Sequence, residues 1–358
     1  MYKDTIQNHS PLIHFSSSSS TRMWLVCFCS LLVILQSSLS DSFYSLIIAL
    51  TAVLAALLTE FFILYFKNSK TSLVKDGSAV ATALVFTLLL PNRIPLPYVV
   101  MGTIFAVGII KHCFGGLGSN WLNPAAGGWF FVRLSWPGVF NMALDNSPLS
   151  LLEKSVTSEL TEPLGMPLRI LETNYPLIFG QNIFMENSIY VFFNNTVFPL
   201  FSAALPASYV DLFVSSQPGI IADRGILALL LGTILITSFR TSRSWIPAVW
   251  ISVFGFLTLL AGAVPYGGEL WKGDILFSFL TGGTLAAAFI LAAEPVSSAK
   301  SKIAVIISAA AGGFFAWLFR FPGAEPYGAI ISVLLINALL PLIRHIAKNL
   351  LLIKGRTL

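Results

Sequence analysis

The sequence predicts an all-α integral membrane protein, with about ten transmembrane helices in two weakly repeated halves. Three observations predict it. Of 358 residues, 56% are hydrophobic and 10% are charged, where soluble domains carry about 25% charged residues. Mean hydropathy is +0.81. The apolar residues gather in runs of roughly 20, the length that crosses a bilayer. A disordered chain, a coiled coil and an ordinary cytosolic enzyme are excluded together.

The elements follow in order. Residues 1–22 are a polar segment, and Met23–Ser40 is the first apolar run. A second run begins almost at once at Phe43, so the first reads as a retained span rather than a cleaved signal. Further spans are expected near 42–66, 78–91, 96–113 and 120–140, completing a first half over 23–140. The span at 78–91 is short, closes at Pro91, and is expected to cross only part of the bilayer. Residues 141–222 form a long loop carrying Asp145, Glu153, Glu159, Glu162, Glu172, Glu186 and Asp211. Its stretch 190–214 is apolar enough to lie on the membrane. Spans near 223–240, 244–264, 273–294, 302–320 and 327–346 make the second half, and 347–358 is a C-terminal tail. Ser78–Pro91 and Gly282–Pro295 are both rich in small residues and end in proline, and repeated halves often frame a site at the membrane midplane.

Net charge is 21 − 16 = +5. The basic residues flank apolar runs, so they report orientation and not nucleic-acid binding. With the N-terminus in the cytoplasm, most of them fall on the cytoplasmic side. Both termini are then cytoplasmic and 141–222 faces outward. The three cysteines, Cys27, Cys29 and Cys113, make neither a disulfide framework nor a four-thiolate cluster. His9, His14, His112 and His345 are scattered without metal-ligand spacing, and no hydrolytic motif is present.

The most distinctive segment runs Gly115-Gly116-Leu117-Gly118-Ser119-Asn120-Trp121-Leu122-Asn123-Pro124-Ala125. Glycines let backbone turn sharply or approach a ligand. Asn120 and Asn123 add amides at a membrane edge, and Asn123-Pro124 fits a helix cap followed by proline at the first helical position. The segment reads equally as a capped re-entrant turn and as a cofactor or ion site at helix termini. Ionisable residues within spans are further candidates: Glu60, Lys111, Glu294 and Arg133. A phosphate would suit Arg133; an interfacial anchor is the alternative.

At these residues the sequence resembles a known family, the D subunit of the Rnf ion-translocating oxidoreductase complex and its relative, the B subunit of the Na+-translocating NADH:quinone oxidoreductase. The resemblance rests on Ser10-Pro11-Leu12-Ile13-His14, Ser20-Thr21-Arg22-Met23, Lys75-Asp76-Gly77-Ser78-Ala79 and above all residues 115–126. Tyr209-Val210-Asp211-Leu212-Phe213, Pro218-Gly219-Ile220, Glu294-Pro295-Val296-Ser297, Tyr327-Gly328, Asn337 and Pro341-Leu342 extend it. It covers nearly the whole chain outside 141–208.

The resemblance implies a flavoprotein of a bacterial inner membrane, one member of a multi-subunit complex embedded in lipid. It implies FMN joined through a phosphoester to a threonine of an outward loop by a flavin transferase, and a second, non-covalent flavin, riboflavin or FMN. Electrons from ferredoxin or NADH would then pass through flavin, coupled to Na+ or H+ movement. Gly115, Gly116, Gly118, Asn120, Asn123 and Arg133 become the expected cofactor-binding residues. The attachment segment departs from the family pattern Asp-x-x-Ser/Thr-Gly-Ala-Thr-Pro-Leu. Ser158-Glu159-Leu160-Thr161-Glu162-Pro163-Leu164 lacks Gly-Ala, and Asn146-Ser147-Pro148-Leu149 offers serine. Thr161 is the first expected attachment residue and Ser147 the alternative. Two rival readings are a secondary transporter or channel without a redox cofactor, which should purify colourless, and a structural scaffold subunit.

Overall fold

The computed structural model describes residues 19–40, 43–67, 76–113, 116, 120–145, 219–238, 245–266, 268, 270–294, 297–298 and 301–356. Helices α1 (Ser19–Ser40) and α2 (Tyr44–Phe66) open the first half. On α2 the side chains sort by size. Ala49, Ala52, Ala55 and Ala56 face inward, while Leu50, Leu54, Leu58, Phe61 and Phe62 are exposed. That is the pattern of a helix in lipid, where small residues let helices approach and large ones meet acyl chains. α1, α2, the later α12 (Lys302–Arg320) and most of α13 (Gly328–Arg356) are long and apolar enough to cross a membrane.

Helix α3 (Ser78–Leu88) has 11 residues, about 16 Å at the standard rise, or half the hydrocarbon thickness. It is the short span the sequence predicts. The chain turns at Pro91 and returns as α4 (Leu96–Ile104), which widens into a π segment at Phe105–Lys111. α5 (Pro124–Ser135) follows, and the chain breaks at Trp136 before α6 (Pro137–Asp145). The expected span at 120–140 therefore starts at Pro124 and is interrupted, since Pro137 cannot continue the helical hydrogen bonding.

The second half opens with a single turn, α7 (Ile221–Arg224), then α8 (Ile226–Ser238) and α9 (Trp245–Ala261). The expected continuous span at 273–294 is corrected. It consists of α10 (Ile275–Leu280) and α11 (Thr284–Ala286), the latter passing into a π segment at Ala287–Leu291. Between them Gly282 and Gly283 both take φ +67, a region that costs other L-residues about 1–2 kcal/mol. α12 packs against α9 and α13, and close contact is allowed by Gly312 and Gly313. A Cβ on Gly313 would meet Trp250 O at 2.5 Å.

The two segments compared in the sequence share a left-handed glycine cap. Gly77, at φ +78, precedes Ser78 of α3, and Gly283 precedes Thr284 of α11. Ser78 thus corresponds to Thr284, two residues later than the expected match with Gly282. Each cap is followed by a hydroxyl residue, and each hydroxyl meets a buried cation from the end of the next long helix. In the first half Lys111 Nζ donates to Ser78 Oγ at 2.6 Å. In the second Arg320 donates to Thr284 Oγ1 at 2.8 Å.

Candidate functional site

The glycine-rich turn leaves the π segment at Lys111. Gly116 donates to Lys111 O at 3.0 Å and sits at φ +89. The Asn120 side-chain amide donates to Gly116 O and Lys111 O, both at 3.0 Å. Asn123 Oδ1 accepts from Ala126 N at 3.0 Å, and Pro124 takes the first helical position, as the sequence predicts. These bonds tie Gly116 and Asn120 to Lys111 and cap the start of α5. Gly115 and Gly118 lie outside the described residues, as do Ser147 and Thr161.

Asn123 also joins the two halves. Its Nδ2 donates to Glu294 Oε2 at 2.8 Å, and Ser297 Oγ donates to the same oxygen at 2.9 Å. The Asn337 amide, from the middle of α13, donates to Ser297 O and accepts from Asn123 N, each at 3.1 Å. Glu294 is therefore held by neutral donors alone among the described residues.

A small cavity of about 20 Å³ lies beside this cluster, lined by Trp250, Ser297, Ser308, Ile336, Asn337 and neighbouring apolar groups. That is room for about one water molecule. Trp250 is 1% exposed, and its Nε1–H has no partner among the described residues. A buried donor left unpaired costs about 1–3 kcal/mol. The cavity is too small for the isoalloxazine ring of the flavin that the family resemblance implies, and Ser308 Oγ and the Asn337 amide already donate to Val305 O and Ser297 O.

The Lys111 cluster is distinct. Lys111 is 1% exposed, and its Nζ also donates to Glu60 Oε1 at 2.5 Å. His112 Nε2 lies 3.2 Å from the same oxygen. Glu60 Oε2 is buried with no partner among the described residues. The Arg320 cluster is built differently. Arg320 is fully buried and donates to Ser278 O, Thr281 O and the hydroxyls of Thr281 and Thr284. The carbonyls at the C-terminal end of α10 attract a cation. Asp223 supplies nearby negative charge and accepts from Gly283 N at 2.8 Å.

Arg133 has an anionic partner from the protein itself. Its guanidinium pairs with the half-buried Glu325 carboxylate and sits 5.2–5.9 Å from the centroids of Trp129, Phe140 and Tyr327. Such contacts favour a cation over an aromatic face. Of the buried ionisable residues, the sequence singles out Glu60, Lys111 and Glu294. It passes over Asp223, Arg320 and His112; the Gly282-Gly283 pair inside an apolar run was the available signal for the first two.

Three relatives align over most of the chain. The D subunit of a proton-translocating ferredoxin:NAD(+) oxidoreductase complex from Clostridium ljungdahlii is 29% identical over 334 residues, 93% of this chain and 92% of the relative. The D subunit of a Na(+)-translocating ferredoxin:NAD(+) oxidoreductase complex from Acetobacterium woodii is 28% identical over 279 residues, 77% and 73% respectively. The D subunit of an ion-translocating oxidoreductase complex from Yersinia pseudotuberculosis is 29% identical over 346 residues, 94% and 95%. The NQR2, RnfD, RnfE family description matches residues 6–351. The chain belongs to the NQR2, RnfD, RnfE family.

Proposed function

We propose that this chain is the membrane flavoprotein subunit of a Rnf-type complex that couples electron transfer between ferredoxin and NAD to movement of Na+ or H+. The observation that carries the reading is the family match over residues 6–351. Beside it stand the D-subunit relatives, two of which are named as parts of ferredoxin:NAD(+) oxidoreductase complexes. The chain lies in a bacterial inner membrane with both termini cytoplasmic, as its Lys and Arg distribution supports. It works with the other subunits of the complex, and a flavin transferase matures it.

A flavin supplies the electron relay; the protein binds, orients and shields it. A second, non-covalent flavin, riboflavin or FMN, accompanies the covalent one. FMN is attached in the 141–222 loop, at Thr161 or else at Ser147. The test is co-expression with a flavin transferase and denaturing electrophoresis, followed by peptide mapping. Fluorescence on a peptide containing Thr161 or Ser147 is expected. A dark band from a protein that was yellow before denaturation would discard the covalent link and keep the redox role. A dark band from a colourless protein would turn the reading toward a transporter or a scaffold.

A further inference from the structure

His112 is buried at the junction of the π segment and the glycine-rich turn. Its two ring nitrogens face different surroundings. Nε2 lies 3.2 Å from Glu60 Oε1. Nδ1 faces Gly116: a Cβ there would sit 3.7 Å from it. Glu60 already accepts from Lys111, which holds the carboxyl as an acceptor. An acceptor-only carboxylate requires the proton on Nε2, and the lone pair then lies on Nδ1. A carboxylate behind an imidazole fixes the tautomer and stabilises the imidazolium that forms when the far nitrogen takes a proton.

The charges around the ring are few. From α2 come Glu60 and Lys67, whose Nζ donates to His112 O at 3.2 Å. Lys111 precedes His112 in the chain. The start of α3 adds Ser78, whose N–H is capped by Asp76 at 2.8 Å. α4 carries Tyr98 as its one titratable residue, near its start, and Arg133 sits on the last turn of α5. Glu60 and Lys111 neutralise each other, and Glu60 Oε2 remains without a partner among the described residues. The cluster therefore has acceptor capacity left for one more positive charge.

We propose that His112 is a proton-exchange residue, with Nε2–H anchored on Glu60 and Nδ1 presented beside Gly116 as the base. A proton arriving there bonds to Nδ1, and the imidazole becomes imidazolium. The same proton leaves from Nδ1 to the next acceptor, and no electron moves at the ring. The inference goes beyond the flavin reading, and its first test needs no flavin.

That test is the pH-dependent infrared difference spectrum, wild type minus H112Q, of the full chain in lipid with the subunits that accompany it. The wild-type ring should carry its proton on Nε2 at neutral pH and gain a second on Nδ1. In E60L the ring should lose its fixed tautomer and show both Nε2–H and Nδ1–H forms. A neutral wild-type ring protonated on Nδ1, or a single Nε2–H tautomer kept in a folded E60L, would overturn the proposal. The wild-type tautomer decides it even if E60L fails to fold. In the active complex, H112Q should lower ferredoxin-dependent NAD reduction by about 100-fold, with partial recovery on adding imidazole; full activity without histidine would overturn the proposal too. A complex lacking that activity altogether would refute the proposed function, leaving the infrared result to judge His112.

Discussion

The Lys111 and Arg320 clusters occupy corresponding places in the two halves, yet they are built for different ends. Arg320 points its donors at carbonyls and hydroxyls around the break between α10 and α11. It replaces the hydrogen bonds a continuous helix would have made, so it is part of the backbone architecture. Lys111 meets a carboxylate that also faces His112 and keeps one oxygen without a partner among the described residues. One half uses its buried cation to hold a broken helix. The other surrounds it with groups that can gain or lose a proton.

The sharpest way to break the comparison is charge removal. Arg320→Met should cost about 3–5 kcal/mol, because Ser278 O and Thr281 O lose their charged donor and keep the weaker Thr284 hydroxyl; the loss is read as a lower unfolding temperature in detergent. Arg320→Met combined with Asp223→Asn should not recover it, since the charged donor to those carbonyls is still missing. Lys111→Met should also destabilise by about 3–5 kcal/mol. There, adding Glu60→Gln should restore most of the stability, because it removes the charge left behind. Recovery in the second half, or none in the first, would erase the distinction.

The glycine caps sharpen it at a smaller scale. Gly282→Ala should cost more than Gly77→Ala. Both residues have positive φ, worth about 1–2 kcal/mol, but the new Cβ at 282 meets the rigid Pro326 O at 2.3 Å. At 77 it meets the Trp24 side chain at 2.9 Å, which can shift. Asn123→Ala should lose about 1 kcal/mol from the α5 cap and release Glu294 from one donor. Smallest of all, Arg133→Gln should change the unfolding temperature little, since partly exposed ion pairs contribute about 0–1 kcal/mol.

Much of this was legible in the sequence, for identifiable reasons. Pro91 and the short apolar run before it foretold the half-length α3. Asn123-Pro124 foretold the cap of α5. The break at Thr281–Gly283 was not legible, because the surrounding run is apolar enough to read as one span. Missing the break hid Arg320, which at the end of a span reads as an interfacial anchor. His112 was hidden differently. Its partner Glu60 is 52 residues away, and no spacing rule connects a histidine at a turn to a glutamate within the preceding hairpin. Arg133 showed its charge but not its partner, since Glu325 lies in the other half.

The central claim, a flavin-bearing membrane subunit, is tested most directly by the visible spectrum before and after chemical reduction. The sample is the purified full chain, gently extracted in lipid with its accompanying subunits. A yellow protein is predicted, with flavin absorption that bleaches on reduction. Part of that flavin should be released into the filtrate on denaturation. A colourless, redox-silent preparation that remains folded and assembled would contradict the claim.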